Sequence, residues 1–330
     1  MKIVSFASFG VPSEVAACIE APEVGAPGDD EIIIEIDAFP INPVDLLTIQ
    51  GLYASRPALP ATPGSEGAGQ VVAVGKSVDG LQPGDRVVNL GRDNWAQRLK
   101  IKAVQAIKVP SDGDVLQQAM LKVNPATALL MLRNFVQLGP GDWVIQDAAN
   151  SGVGTSLIRL AKAAGVRTVN VVRREALIAP LQAIGADVVV VDGEDLAARV
   201  TKATGGAPIK LAIDAVAGET CQRLAQCLTE GGTVVNYGLL SGHPCMIAAA
   251  DVIFRNITLT GFWLSKHLGE APRRDIEALY QDLSQRLSDG DLHVPVEAVY
   301  GIDDIQTALA HAAQSGRDGK ILVTPNRKPG

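Results

Sequence analysis

The sequence predicts an α/β protein that combines a β-rich domain with a doubly wound parallel sheet. Residues 1–118 contain short apolar strands interrupted by prolines, and these strands do not alternate with helical patterns. From residue 119 to residue 264 strands and helical patterns do alternate, which is typical of a parallel sheet covered by helices. Residues 265–330 end in an apolar strand that is predicted to return to the first domain.

Apolar runs and periodicity place the individual elements. The first domain is predicted to contain strands at 31–36, 69–75 and 86–89. The second is predicted to contain strands at 143–148, 168–172, 188–191, 211–215 and 233–237, with a sixth at 257–262. Helices are expected at 176–184, 195–204, 219–227, 272–289 and 302–314, and further strands at 294–299 and 319–323.

A glycine-containing turn between the first strand and helix of the second domain predicts an anion site. The turn contains Asn150, Ser151, Gly152, Val153 and Gly154. Free N–H groups at a helix start favour an anion such as a dinucleotide pyrophosphate. Against the pattern G-x-G-x-x-G only Gly154 fits, because alanine and serine take the first two glycine positions. An ordinary strand–turn–helix crossover therefore stays open as the alternative.

Two arginines at the end of the next strand favour NADPH over NADH as the cofactor. An NAD-binding fold usually places an acidic residue there for the ribose 2′-hydroxyl. Here Arg173 and Arg174 follow the strand, and guanidinium groups suit a 2′-phosphate. The alternative is a solvated helix start.

Composition narrows the functional class. The 330 residues suffice for two domains, and 47% hydrophobic against 20% charged residues indicates a folded core. The net charge is -7 without a lysine or arginine run, which argues against nucleic acid and anionic membranes as partners. No apolar run approaches membrane-spanning length, and the first ten residues lack a signal-peptide core. The four cysteines show no paired spacing, so we expect reduced thiols in a cytoplasmic protein.

Several motifs together resemble the medium-chain dehydrogenase/reductase superfamily over nearly the whole chain. The resemblance implies a GroES-like catalytic domain followed by a Rossmann dinucleotide-binding domain. Its residues are Pro63–Gly75, Pro83–Val87, Ala149–Gly154 and Gly319–Val323. A closer resemblance is to the mitochondrial-type 2-enoyl thioester reductases, and it rests on Pro40–Tyr53, Val123–Thr127, Asn170–Arg173 and Gly261–Ser265.

The metal ligands of the zinc-containing branch are missing. The Gly-His-Glu motif of that branch reads Gly64-Ser65-Glu66 here, and its first cysteine is replaced within Asn42–Asp45. No cysteine occurs between Cys18 and Cys221, so the structural zinc loop is absent as well. Since zinc needs thiolate or imidazole ligands, we predict no metal. Reduction of an activated C=C bond does not require one.

The resemblance implies that a hydride reaches Cβ of an enoyl thioester and a proton reaches Cα. Tyr53 matches the tyrosine that donates a hydrogen bond to the developing enolate. Asn42 would orient the substrate or the nicotinamide amide. The open alternatives are a tyrosine that only covers a loop and an asparagine that only forms a turn.

The resemblance also implies further contacts with cofactor and substrate. Asn124, Thr127, Tyr237 and Lys320 would contact the cofactor, although helix capping explains Asn124 and Thr127 almost as well, and a core or interface position explains Tyr237 equally. Phe262, Trp263 and Leu129 would line the acyl pocket, with a core tryptophan as the alternative for Trp263. The family has an aromatic residue where Leu129 stands, and a small residue where Lys122 stands. Lys122 is expected to be a surface lysine, or else to contact an anionic group of a ligand.

The predicted function is therefore NADPH-dependent reduction of a 2-enoyl thioester carried by CoA or acyl carrier protein. A zinc-free quinone or enone reductase of the same superfamily is the first alternative. A non-catalytic NADPH-binding protein is the second. The resemblance alone also implies a homodimer, formed by pairing of sheet edges near residues 245–262.

Overall fold

The computed structural model describes residues 1–326 and divides the chain into two compact units. The first consists of Met1–Val123 together with the chain from Arg273 onwards, and the second of Asn124–Pro272. The sequence places these boundaries at 118/119 and 264/265, so the structure moves both of them several residues towards the C-terminus. Within residues 1–326, no helix is both long and apolar enough to cross a bilayer.

The first unit begins with seven strands and three short helices. In chain order they are β1 (Lys2–Phe6), α1 (Pro12–Val15), β2 (Ala16–Glu20), β3 (Glu31–Pro40), α2 (Pro43–Ile49), β4 (Ala68–Val74), β5 (Arg86–Asn89), β6 (Arg98–Lys102), β7 (Ala106–Val109) and α3 (Val115–Ala119). The long strand β3 pairs with both β4 and β6, and its isoleucines Ile32, Ile34 and Ile36 are fully buried. The run Glu31–Ile36 is thus the centre of the predicted β-rich domain, and its apolar side chains form the core of that domain.

The second unit contains the predicted parallel sheet. Its elements are α4 (Asn124–Asn134), β8 (Trp143–Gln146), α5 (Gly152–Ala163), β9 (Arg167–Val172), α6 (Ile178–Ala183), β10 (Val188–Val191), α7 (Leu196–Thr204), β11 (Ile209–Asp214), α8 (Gly218–Cys227), β12 (Thr233–Asn236), α9 (Ala249–Arg255), β13 (Thr258–Gly261) and α10 (Leu264–Glu270). Within the described residues the strand order is β10-β9-β8-β11-β12-β13, and every pair is parallel. This is the order of a Rossmann sheet, and it confirms the predicted sixth strand.

The end of the chain returns to the first unit. After α11 (Arg273–Ser288) come β14 (Val296–Gly301), α12 (Ile305–Ala313) and β15 (Lys320–Thr324). Strand β15 pairs antiparallel with β3 through Leu322 and Val323, and parallel with β14. The closing strand therefore completes the first sheet, as the sequence predicts.

Candidate active site

The motifs that replace the zinc ligands meet in a buried network of the first unit. The Nδ2 atom of Asn42 donates to Glu66 Oε1 at 2.7 Å, and the Ser65 amide donates to Asp45 Oδ1 at 2.7 Å. The second oxygen of Asp45 accepts the Asn42 amide at 2.9 Å and the Ser65 hydroxyl at 3.1 Å. The Val123 amide donates to Glu66 Oε2 at 2.7 Å. Both carboxylates are therefore satisfied although neither is exposed to water.

Two lysines bring positive charge to this network. The Nζ atom of Lys320 donates to Asn42 Oδ1, and that of Lys122 donates to the carbonyls of Ser65 at 2.5 Å and Gly91 at 2.6 Å. Burial lowers the pKa of both amines, to about 8 for Lys320, while the charge of Glu66 opposes this effect. Burial also raises the pKa of the Glu66 carboxyl, against the hydrogen bond from Asn42 and the charge of Lys320. The positive charges compensate carboxylates that would otherwise be expensive to bury.

The positions of Lys122, Asn42 and Lys320 in this network can be compared with the sequence predictions. The prediction for Lys122 is decided, and those for the other two residues are not. Lys122 is 7% exposed, so the expectation of a surface lysine is wrong. Its position inside the apolar run 119–123 is the sequence signal for a buried amine. Asn42 lies beneath the surface with both ends of its amide bonded inside the protein, so it orients Glu66 and Lys320. Its contact with substrate and the contact of Lys320 with cofactor stay predictions.

The donors of this network do not fit zinc. They are amide, hydroxyl and carboxylate groups, with two ammonium groups hydrogen-bonded among them. Zinc sites are built from thiolates and imidazoles, and an ammonium group repels a cation. Elsewhere in residues 1–326 the groups of Asp214, Cys221 and Cys245 lie within 4.8 Å of one another. There the carboxylate already accepts the amides of Val216 and Ala217, and burial raises the pKa of both thiols.

Tyr53 lies just after α2, at a turn that glycine makes possible. Gly51 has φ +73, and an added Cβ would lie 2.9 Å from the Phe9 ring. The Tyr53 amide donates to the carbonyl of Leu47 at 3.1 Å, which holds the residue against the end of the helix. The Tyr53 side chain is partly exposed, and the Arg92 guanidinium lies over its ring, 5.4 Å from the centroid. Sequence reasoning did not predict this arginine, because nothing in its local pattern indicates the contact.

A cavity of about 280 Å³ lies beside this pair in the first unit. It is lined by the segments 55–57 and 62–65, by α2 residues Asp45 and Thr48, and by Arg92 and Asp93. Gly64 forms part of its wall with φ +124, where a Cβ would lie 2.6 Å from the Asn94 amide nitrogen. The close approach of these two backbone segments therefore requires glycine at this position.

The predicted anion site of the second unit is a tight turn between β8 and the start of α5. Ser151 precedes α5 and its hydroxyl accepts the Gly154 amide at 3.1 Å. A Cβ on Gly154 would lie 2.5 Å from the Ala149 carbonyl oxygen, so glycine permits the close packing of helix and turn. Asn150, Gly152 and Val153 complete the turn at the carboxyl end of β8. Tyr237 follows directly after β12, and because all strands of this sheet are parallel, its loop starts at the same edge of the sheet.

Both arginines predicted for the 2′-phosphate are exposed and follow directly after β9. Asn124 and Thr127 are buried on the first turn of α4. In the described part of the chain the Nδ2 atom of Asn124 has no hydrogen-bond partner. An orphaned buried donor is costly without a ligand or water, so this atom suits a polar group of a bound cofactor.

The structure places the three predicted pocket residues differently. Trp263 is 43% exposed, so the alternative of a core tryptophan is wrong. Phe262 packs edge-on against Phe135 with ring centroids 6.2 Å apart. Leu129 is buried on α4. Their contact with an acyl chain stays a prediction.

Comparisons with known proteins agree with this architecture. The family model "Alcohol dehydrogenase GroES-like domain" matches residues 28–111, and "Zinc-binding dehydrogenase" matches residues 152–286. Human mitochondrial enoyl-[acyl-carrier-protein] reductase is 35% identical over 98% of this chain and 88% of its own length. The chain belongs to the medium-chain dehydrogenase/reductase superfamily. As a member of that superfamily it is an oxidoreductase.

Solved structures of the superfamily resemble the whole chain. Etr1p in complex with NADP and crotonyl-CoA is 27% identical with a TM-score of 0.86, and the alignment covers 98% of this chain and 99% of that one. The 2-enoyl thioester reductase Etr1p/Etr2p heterodimer from Candida tropicalis gives the same values. Escherichia coli quinone oxidoreductase complexed with NADPH is 26% identical with a TM-score of 0.89, over 98% of this chain and 100% of that one.

Proposed function

We propose that this protein reduces the C2=C3 bond of a 2-enoyl thioester, carried by CoA or acyl carrier protein, with NADPH. The observation that carries the proposal is Tyr53, a partly exposed tyrosine with a guanidinium over its ring, at the position that matches the family's hydrogen-bond donor. Similarity to an enoyl-[acyl-carrier-protein] reductase over 98% of the chain supports the same substrate class.

Tyr53 would act on the thioester oxygen. When bound, NADPH supplies the hydride that adds to Cβ. Negative charge then develops on the thioester oxygen, and the Tyr53 hydroxyl would stabilise it by donating a hydrogen bond. A phenol hydroxyl is a hydrogen-bond donor and can fill this role. The proton that completes the reaction goes to Cα.

The second unit would hold the cofactor. The N–H groups of the turn 150–154 would bind the pyrophosphate at the start of α5. Arg173 and Arg174 would bind the 2′-phosphate, and the orphaned Nδ2 atom of Asn124 would donate to a polar group of the cofactor. Thr127 and Tyr237 would complete the cofactor contacts. The donor set of the first unit does not fit zinc, so no step is assigned to a metal.

A quinone or enone reductase is the second candidate. The similarity to Escherichia coli quinone oxidoreductase, with a TM-score of 0.89, favours it. Both reactions would use the same cofactor turn, and both can proceed without a metal. The two reactions differ in the group that is reduced, which is an enoyl thioester in the first and a quinone or enone in the second.

One assay separates these functions. The purified protein is mixed with NADPH and either crotonyl-CoA, a quinone, or no acceptor, and NADPH absorbance is followed. We expect loss of NADPH with crotonyl-CoA, accompanied by butyryl-CoA on chromatography. Turnover of the quinone alone would replace the proposal with the second candidate. NADPH binding without turnover of either acceptor would indicate a non-catalytic binding protein.

We also propose a homodimer in the cytoplasm. Strand β13 lies at an edge of the six-stranded sheet seen in residues 1–326, and the adjacent helix α9 exposes Ile253 and Phe254 at 68% and 77%. An edge strand beside exposed apolar side chains suits pairing with a second copy. Light scattering should give twice the chain mass, and Phe254→Asp should shift it to the single-chain mass. The four cysteines are free thiols, which favours the reducing environment of the cytoplasm. Cell fractionation tests this location.

A further inference from the structure

The buried amine of Lys122 connects two backbone segments of the first unit. It donates to the carbonyl of Ser65 at 2.5 Å and to that of Gly91 at 2.6 Å. Its own carbonyl accepts the hydroxyl of buried Tyr280 at 3.0 Å, which fixes the backbone from which the amine reaches out. A charged donor buried between two carbonyls fixes their separation more firmly than a neutral one.

Several hydrogen bonds fix the backbone segment around Gly91. The Gly91 carbonyl accepts not only the Lys122 amine but also Asn94 Nδ2 at 3.2 Å, and its amide donates to Asn89 Oδ1 at 2.8 Å. Asn89 Nδ2 in turn donates to Asn94 Oδ1 at 3.0 Å. Asp93 takes φ +66, a left-handed conformation that is uncommon outside glycine and is adopted more often by aspartate than by most other residues. These hydrogen bonds therefore hold the backbone of residues 90–93 in one conformation.

Arg92 follows Gly91 directly, and its guanidinium lies over the Tyr53 ring, 5.4 Å from the ring centroid. The backbone of Tyr53 is tied to the end of α2 by the hydrogen bond of its amide to the Leu47 carbonyl. The side chain itself is partly exposed. The guanidinium therefore limits the movement of a ring that the protein does not fully enclose.

We propose that Lys122 and Arg92 are positioning residues for Tyr53. The Lys122 amine fixes the Gly91 carbonyl, the fixed loop aims Arg92, and the Arg92 guanidinium holds the phenol ring in the orientation needed for hydrogen bonding to the substrate. This inference rests on the proposed function, because the orientation of the ring matters only if the Tyr53 hydroxyl donates a hydrogen bond to the thioester oxygen.

The test is a double-mutant cycle on crotonyl-CoA reduction. Lys122→Met keeps most of the buried stem and removes the ammonium group. Because a misplacement of about 1 Å can cost roughly a hundredfold in rate, we expect kcat to fall by about ten- to a hundredfold. In a Tyr53→Phe background the hydroxyl is already gone, so Lys122→Met should change the remaining rate by no more than about twofold. The exposed Lys100→Met is the matched control, and it should be neutral in both backgrounds.

Equal loss in both backgrounds would overturn the proposal, because Lys122 would then only support the fold. Arg92→Gln, at an exposed position, covers the case in which Lys122→Met does not fold. Its effect on kcat should depend on the Tyr53 hydroxyl in the same way. An equal loss of kcat in both backgrounds, or no loss at all, would refute the proposed role of Arg92 in positioning Tyr53.

A second readout separates this inference from the proposed function. Hydrogen–deuterium exchange of the peptide covering residues 89–94 should become faster in Lys122→Met and stay unchanged in Lys100→Met. Unchanged exchange would overturn the inference while leaving the enoyl reductase assignment intact. Failure of the native protein to reduce crotonyl-CoA, with faster exchange in the variant, would instead overturn the proposed function.

Discussion

If the cofactor is NADPH as proposed, reversing the charge of Arg173 should remove most of the preference for NADPH over NADH. Arg173 and Arg174 stand at the carboxyl end of β9, where the ribose of a bound dinucleotide is expected, and both are exposed. A hydrogen bond between charged groups contributes about 1.5–3 kcal/mol, and exposure argues for the lower limit. An aspartate within about 4 Å of the phosphate adds roughly 1 kcal/mol of repulsion in water. The sum of about 2.5 kcal/mol corresponds to roughly a fiftyfold weaker Kd for NADPH.

The measurement is titration of each nicotinamide cofactor into the native protein, Arg173→Asp and Arg174→Asp. NADH lacks the phosphate, so its Kd should stay within about twofold. Arg167→Gln is a control from the opposite end of the same strand, where the guanidinium lies 4.3 Å from the Trp143 ring centroid and pairs with Asp187. Equal affinities for NADPH and NADH in the native protein would refute the reasoning, as would an equal loss of both cofactors in the variants.

Three further predictions concern the first unit. Tyr53→Phe should lower kcat for crotonyl-CoA by about 10²–10³ with little change in NADPH affinity, because only a donor to the transition state is lost; a native rate in this variant would move the search for the donor to Thr127, because both ends of the Asn42 amide are already hydrogen-bonded inside the protein. Elemental analysis should find no stoichiometric zinc and chelator should leave the rate unchanged, whereas one zinc per chain would contradict the donor chemistry described above. Burial lowers the pKa of Lys320 from 10.5 to about 8. Between these values the unfolded state holds more protons, so this group should make the free energy of unfolding rise with pH above 8. Denaturant titrations at about pH 7.5 and 10 should show this rise in the native protein and a smaller rise in Lys320→Met, where the buried amine of Lys122 remains. An identical pH dependence of the two proteins would count against the prediction.

The sequence predicts those features that local patterns determine. Alternation of strands and helices is enough to place the parallel sheet. The turn around Gly154 is recognisable because the helix starts so close to the Ala149 backbone that glycine is required there. Arg173 and Arg174 are predictable for the same reason, since they follow the end of a strand. All of these inferences need only residues that are close in sequence.

The network around Glu66 depends on contacts between residues far apart in the chain. Asn42, Lys122 and Lys320 approach the same carboxylate from three segments, and local periodicity carries no information on such an encounter. A lysine within an apolar run predicts a buried amine at best, without its partners. The position of Arg92 over Tyr53 is still less predictable, because both side chains lie in irregular segments whose conformation is set by distant hydrogen bonds.

The first unit is interrupted by the whole of the second, and this has a consequence for synthesis on the ribosome. Asn124–Pro272 is contiguous and can fold as soon as it emerges, since its strands all lie within that range. The first sheet must wait, because β3 lacks its neighbour β15 until residues 320–324 are translated. During that interval Asp45 and Glu66 also lack the ammonium group of Lys320, so the nascent unit has an open sheet edge and incompletely compensated carboxylates. A chain that stalls before residue 320 should therefore be a preferred client of chaperones and proteases, although its cofactor-binding unit is already complete.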